Sequence, residues 1–303
     1  MGNESFFKKY QFTIILLAIM VAITIWAFSA GKANMTGAPQ LSANMILLLT
    51  IVGFAAGCLG GWIGTGGCSV MLPILHFWMG FPAPLAVGTT LFAVIFTAIS
   101  GGYGHLKQRN LDTRAVLYLG GFGVIGVFVG SWLFTLLSDQ SKLLGFILGL
   151  VFLWPAIRMI REGIKKGMPG AVMEGKSIEA PATGLGLFGT LVGTLTGLVG
   201  LGGGYALVPG LIYLFGAPVY ITMGTSLATM IPMAIVGGLI KLSQGFVVLG
   251  AALVLASGTI VGAQIGAATI KKFKPSTLKL IFGIYFLYVA IKFIGNYLGI
   301  PVW

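Results

Sequence analysis

The pentapeptide Gly64-Thr65-Gly66-Gly67-Cys68 returns 136 residues later as Gly200-Leu201-Gly202-Gly203-Gly204. Around it, residues 57–108 lie over 193–244 without a gap. Pro73, Gly80, Pro82, Gly88-Thr89 and Gly101-Gly102 in the first copy match Pro209, Gly216, Pro218, Gly224-Thr225 and Gly237-Gly238 in the second. So many turn-forming residues in one register mark an internal repeat. Paired apolar halves, each opening on a glycine-broken segment, are the signature of a transporter with its site between the repeats.

Composition agrees. Hydrophobic residues make up 57% of the 303-residue chain and charged ones only 8%. Apolar stretches of spanning length recur along nearly all of it, as a multi-pass helical membrane protein requires. The short alternating segments of a membrane β-barrel are missing. A net charge of +12 could signal nucleic acid, but the basic residues sit in short loops between apolar spans, where they set orientation in the membrane. We therefore expect lipid and no nucleic acid as a partner. Cys58 and Cys68 are too few for a disulfide framework and form no metal set with His76, so they read as small packing residues and no cofactor is expected. Lys8-Lys9 followed by apolar 11–30 also fits a signal peptide, with Phe28-Ser29-Ala30 as cleavage context. Twenty apolar residues including Trp26 exceed a usual signal core, so the expectation is a retained first helix.

The expected spans are 11–30, a broken pair 44–63 and 67–80, then 84–103, 115–137 and 142–158. The second half gives a broken pair 182–199 and 203–216, then 220–240, 246–270 and 277–298. Segments 67–80 and 203–216 are short for crossing, so each pair reads as a hairpin that is re-entrant or crosses twice. An even hairpin plus three crossings is odd, which inverts the second copy. With the N-terminus inside, loops 104–114, 158–181 and 271–279 are also inside and, with Lys8 and Lys9, hold 14 of the 18 Lys and Arg residues. Lys32, Lys142, Lys241 and Lys292 remain outside. The fold expected is an all-α polytopic membrane protein of two inverted-topology repeats, N-in and C-out. Its parts are an extra N-terminal helix in 1–43, repeat 1 over 44–158, a cytoplasmic linker 159–181 and repeat 2 over 182–303.

None of the six carboxylates (Glu4, Asp112, Asp139, Glu162, Glu174, Glu179) falls in an expected span. An intramembrane cation needs local neutralisation, so this argues against a metal cargo or a carboxylate proton relay and leaves an anion. Helices beginning at Gly66-Gly67-Cys68-Ser69 and Gly202-Gly203-Gly204-Tyr205 would present unpaired N–H groups and the positive end of the helix dipole. Glycine lets a small oxyanion approach the backbone closely. Hydroxyls of Thr65 and Ser69, and of Thr89 and Thr90 matched by Thr225 and Ser226, would supplement them. Against this stands plain packing, since membrane glycines often serve close helix contact and Thr or Ser bond back to their own helix. Duplication beside Pro-bounded short segments tilts the reading toward a site.

His105 and Lys241 are repeat-equivalent, each three residues past a Gly-Gly pair and each followed by an equivalent glutamine, Gln108 or Gln244. Snorkelling at helix ends is the preferred account, anion gating the sharper one. His76 is a candidate for proton coupling, yet its repeat partner is Ile212, which favours packing. Gln264, polar in mid-span, contacts substrate or bridges two helices.

The duplicated glycine motif with its downstream proline, the Gly-Thr-Thr and Gly-Thr-Ser starts, and the basic linker resemble the TauE/SafE sulfite exporter family, also called the toluenesulfonate uptake permease family, over roughly 44–298. The first copy departs from an all-glycine run, with Cys68 where the second has Gly204. The resemblance implies a prokaryotic plasma-membrane permease for sulfur-containing anions such as sulfite, thiosulfate or organosulfonates like sulfoacetate. The leading expectation is a secondary transporter exporting a small sulfonate or sulfite by alternating access, driven by membrane potential or coupled protons. An anion channel, or an uptake permease for thiosulfate or another oxyanion, is the alternative. An enzyme is not expected, since two lone histidines without a buried acid make no catalytic set. Nothing in the sequence sets an oligomeric state.

Overall fold

In lipid every backbone polar group must be satisfied within its own segment, so long apolar runs become helices. The computed structural model describes residues 6–164, 175, 177–270 and 275–300, and every regular element among them is helical. In chain order these are α1 (Phe6–Ser29), α2 (Ala43–Ile63), α3 (Cys68–Pro73, running on as a π-helical turn Ile74–Trp78), α4 (Ala83–Lys107), α5 (Thr113–Leu137), α6 (Ser141–Ile164), α7 (Ala182–Val199), α8 (Gly204–Leu214), α9 (Val219–Ser243), α10 (Leu249–Thr269) and α11 (Pro275–Leu298). Eight of them are long and apolar enough to cross a membrane. Lipid-facing character is plain on α5, where Leu117, Phe122, Ile125, Phe128 and Trp132 are exposed.

The repeat carries into the helix boundaries. α3 and α8, α4 and α9, and α5 and α10 each begin 136 residues apart. Each hairpin joins a long helix to a short one: the Cys68–Trp78 and Gly204–Leu214 segments rise about 16 Å, half a bilayer core. The breaks come from glycine. Gly64 and Gly200 end α2 and α7 in the left-handed region (φ 78° and 71°), and Gly67 and Gly203 open α3 and α8 there too (φ 77° and 83°). Side chains with a Cβ rarely adopt this geometry, so the chain reverses where glycine permits it.

Small residues then zip the halves together. Gly53, Gly57 and Gly61 of α2 press on Leu255, Thr259 and Ala263 of α10, while Gly189, Gly193 and Gly197 of α7 press on Leu119, Gly123 and Val127 of α5. These are the same contacts with the repeats exchanged, the small-residue packing that lets membrane helices approach closely. The repeat-equivalent helices α4 and α9 run antiparallel, Leu91 against Gly237 and Leu227 against Gly101. So do α6 and α11, with Phe293 near Gly145 and Leu280 near Gly163. α1 lies on α10, where Thr13 Oγ1 donates to Gln264 Oε1 at 2.5 Å.

The end of α6 differs from expectation. α6 continues to Ile164, because Arg158 and Glu162, one helical turn apart, neutralise each other and let the helix run on through two charges. Of the expected basic linker, residues 165–174 and 176 lie outside the described residues, as do Lys271, Lys272 and Lys274.

Candidate functional site

The two glycine turns meet. Gly66 and Gly202 both rest on Val94 and Met230: a Cβ at either would lie 2.5–2.6 Å from Met230 Cε and 3.1–3.5 Å from Val94 Cγ1. Val94 and Met230 are each the twelfth residue of a 25-residue helix, so the turns lie at mid-length of α4 and α9. A Cβ on Gly204 would stand 2.5 Å from Thr65 Cα, and one on Gly202 would stand 3.6 Å from Cys68 Sγ. Thr65, Gly66, Cys68, Gly202 and Gly204 therefore converge. Gly67 and Gly203 turn outward onto their own hairpins, against Ala56 and against Thr196 and Val192 respectively. Among the described residues no side chain caps α3 or α8. Their first-turn N–H groups and dipoles are the local positive ends at this junction.

The hydroxyls divide. Thr89 Oγ1 accepts from Val248 N–H at 3.0 Å and Thr225 Oγ1 from Asp112 N–H at 3.0 Å, a reciprocal pair that ties α4 and α9 to the starts of α10 and α5. Thr90 bonds back to Ala86 O (2.7 Å), and Ser226 donates to Gly64 O (2.8 Å), bracing the first turn. Ser69 is buried. Thr65 lines a cavity together with Ile63, Tyr205, Tyr213, Arg158 and Glu162. The cavity runs between the C-terminal half of α6 and the length of α8, and it reaches Thr65 of the first glycine turn. Tyr205 Oη is buried with no hydrogen-bond partner among the described residues. Arg158 lays its guanidinium 3.2 Å above the Tyr213 ring, and its Nε reaches Glu162 Oε1 at 3.1 Å.

Arg158, Glu162 and Tyr213 escaped the sequence reading, which ended the span at 158. The signal was the i,i+4 Arg-Glu spacing after Trp154-Pro155. The expectation that no carboxylate lies in a span is thereby corrected: Glu162 sits in the candidate span Ser141–Ile164, held beside its cation. Asp112 is buried too, accepting from Ala115 N–H (3.0 Å) as an N-cap and from Ile178 N–H (2.7 Å). Both carboxylates are already satisfied.

The repeat-equivalent face is filled instead. His76 stacks on Phe293 at 5.4 Å with its Nδ1 2.8 Å from Phe81 O, and Phe77 lies 4.5 Å from Phe293. His76 is a packing residue in this arrangement. The snorkelling account of His105 and Lys241 is overturned, since both side chains are fully buried. α4 and α9 extend past them to Lys107 and Ser243 and keep them inside the bundle. His105 Nε2 pairs with Gly61 O at 3.0 Å, whereas Lys241 Nζ lies 3.2 Å over the Phe134 ring without a hydrogen bond among the described residues. Gln264 bridges α10 to α1 through Thr13.

The chain is similar in sequence to known membrane transporters. The family model for the sulfite exporter TauE/SafE matches residues 49–293. The "Probable membrane transporter protein YdhB" of Bacillus subtilis is 29% identical over 73% of this chain and 89% of its own length. A probable membrane transporter of Methanocaldococcus jannaschii is 29% identical over 78% and 90%. The Arabidopsis thaliana "Sulfite exporter TauE/SafE family protein 3" is 26% identical over half of this chain and 34% of its own length. No solved structure matches. With the family model spanning the junction, both hairpins and nearly all the helices, the chain belongs to the TauE/SafE sulfite exporter family of membrane transporters.

Proposed function

We propose that this transporter carries a small sulfur-containing anion, sulfite or an organosulfonate, out of a prokaryotic cell by alternating access. The anion is held where the uncapped starts of α3 and α8 meet, with Thr65 and Tyr205 as its side-chain partners. The observation that carries this reading is the cavity: it takes its walls from both repeats, has Arg158 on its flank and reaches Thr65 of the first glycine turn. Backbone dipoles and one arginine suit an oxyanion and leave a cation without a free carboxylate.

Inverted repeats are the second part of the proposal. Antiparallel contact between repeat-equivalent helices, α4 with α9 and α6 with α11, supports it. With the N-terminus cytoplasmic, the cavity faces inward, toward the basic loops, and the filled His76–Phe293 face looks outward. A cell with a negative interior then drives the anion out.

The test is radiolabelled flux in proteoliposomes with sulfite, thiosulfate, sulfoacetate, acetate and nickel under an imposed potential. Saturable flux of a sulfur oxyanion, accelerated by an inside-negative potential in the export direction, is expected. Flux of nickel alone would overturn the reading.

A further inference from the structure

Arg158 stands out within the cavity because its partner is also on offer to be replaced. Its side chain is 30% exposed, while that of Glu162 is 12% exposed. The guanidinium is held flat on the Tyr213 ring at 3.2 Å and near Trp154 at 5.4 Å, which fixes its plane. A planar fork so oriented is the group best matched to a two-oxygen anion. Glu162 touches it through Nε, one edge of that fork. In the register of α6 on α11, which begin 134 residues apart, the position equivalent to Arg158 is Lys292 and the one equivalent to Glu162 is Asn296. The cation over an aromatic ring is thus shared by the repeats, Lys292 lying 5.3 Å over Phe77 where Arg158 lies over Tyr213, and the carboxylate partner belongs to the cavity face alone.

We propose that Arg158 is the docking residue for the oxyanion at the mouth of the cavity, and that Glu162 is a tethered stand-in that occupies it when cargo is absent. This deepens the anion-transporter reading and rests on it. A bare arginine in a largely apolar vestibule would be costly, since a charge out of water needs a partner. Glu162 meets that need and yields when an anion with oxygens of its own arrives. The exchange keeps the vestibule neutralised before docking and gives the carboxylate back to Arg158 once the cargo moves on to Thr65 and Tyr205.

Concentration-dependent sulfite flux separates this from a structural ion pair. Wild type, Glu162→Gln, Arg158→Gln, Arg158→Lys and the double Arg158→Gln/Glu162→Gln are reconstituted and compared for KM and maximal flux. Removing the competitor in Glu162→Gln lowers KM by about threefold to tenfold, whereas losing the dock raises KM by about tenfold or more with maximal flux changed far less. Arg158→Lys restores part of the affinity, because it keeps the charge but not the fork. The double variant leaves no buried unpaired charge, so it keeps the comparison open if Arg158→Gln alone misfolds. A double variant with wild-type KM overturns the proposal, as does a Glu162→Gln whose KM rises in step with Arg158→Gln. Wild-type protein that moves no anion sinks the transporter reading and this inference together; wild-type flux with either of the preceding results sinks this inference alone.

Discussion

The hairpin α2–α3 and the hairpin α7–α8 share their breaks, with left-handed glycines at 64 and 67 in one and 200 and 203 in the other. Their flanks do not match. α8 borders an open cavity with Arg158 and Tyr213, while α3 ends in a π-helical turn sealed by His76, Phe77 and Phe293. Features that both repeats carry set where the chain bends and where the turns meet. Features that one repeat carries set which flank holds a cavity. Backbone geometry here is duplicated, and the flanks differ in a few side chains, with His76 and Phe293 on the filled side where the cavity side has Ile212 and Met159.

The largest test of that division exchanges Cys68 and Gly204, which are repeat-equivalent. Gly204→Cys drives a side chain into the Thr65 backbone and should cost about 3 kcal/mol or more, with loss of monodisperse protein or of sulfite flux. Cys68→Gly surrenders a small buried thiol and should cost only about 1–2 kcal/mol. Equal effects in thermal unfolding and flux would mean the two turns are not packed as described.

Next is the seal. Phe293 is nearly fully buried, and Phe293→Ala should cost about 3–5 kcal/mol. It should also expose a cysteine introduced at Leu72 to a membrane-impermeant maleimide, where the unaltered seal protects it. Unchanged labelling would show that another element closes this face.

The reciprocal hydrogen bonds make a smaller and symmetric prediction. Thr89→Val and Thr225→Val each orphan one buried N–H, so each should destabilise by about 1–3 kcal/mol, and by similar amounts. A large inequality in their thermal midpoints would break the equivalence of the two junctions.

The smallest effect concerns the buried His105 and Lys241. His105→Leu forfeits the bond to Gly61 O, whereas Lys241→Met gives up no hydrogen bond among the described residues. The first should lower stability by about 1 kcal/mol and the second leave it unchanged or raise it. The opposite order in a melting series would mean that Lys241 has a partner when the protein is in a membrane.

Much of this was readable beforehand because glycine and proline punctuate a chain locally. Gly64, Gly67, Gly200 and Gly203 need their left-handed geometry whatever surrounds them, so the breaks and the repeat were visible from spacing. Arg158 and Glu162 were not, because a charge is normally read as the end of a span, and only their contact reveals that the helix carries them inward. The fates of His105 and Lys241 hinged on how far α4 and α9 extend before turning, a tertiary outcome that periodicity does not encode. Thr89 and Thr225 were read as ligand hydroxyls, and their bonds to Val248 and Asp112 N–H belong to partners more than a hundred residues away.

One labelling experiment bears on the whole account. Val208 lines the cavity and its repeat-equivalent Leu72 is fully buried behind the seal. Each is replaced by cysteine in a Cys58→Ala/Cys68→Gly background and exposed to an impermeant maleimide from one membrane face at a time. Alternating access predicts that Val208→Cys reacts from the cytoplasmic face while Leu72→Cys is protected, and that saturating sulfite under an outward-driving potential protects the first as the second becomes reactive from outside. Reaction of both positions at once, or no change with sulfite, would contradict a transporter in which the glycine junction is reached from one side at a time.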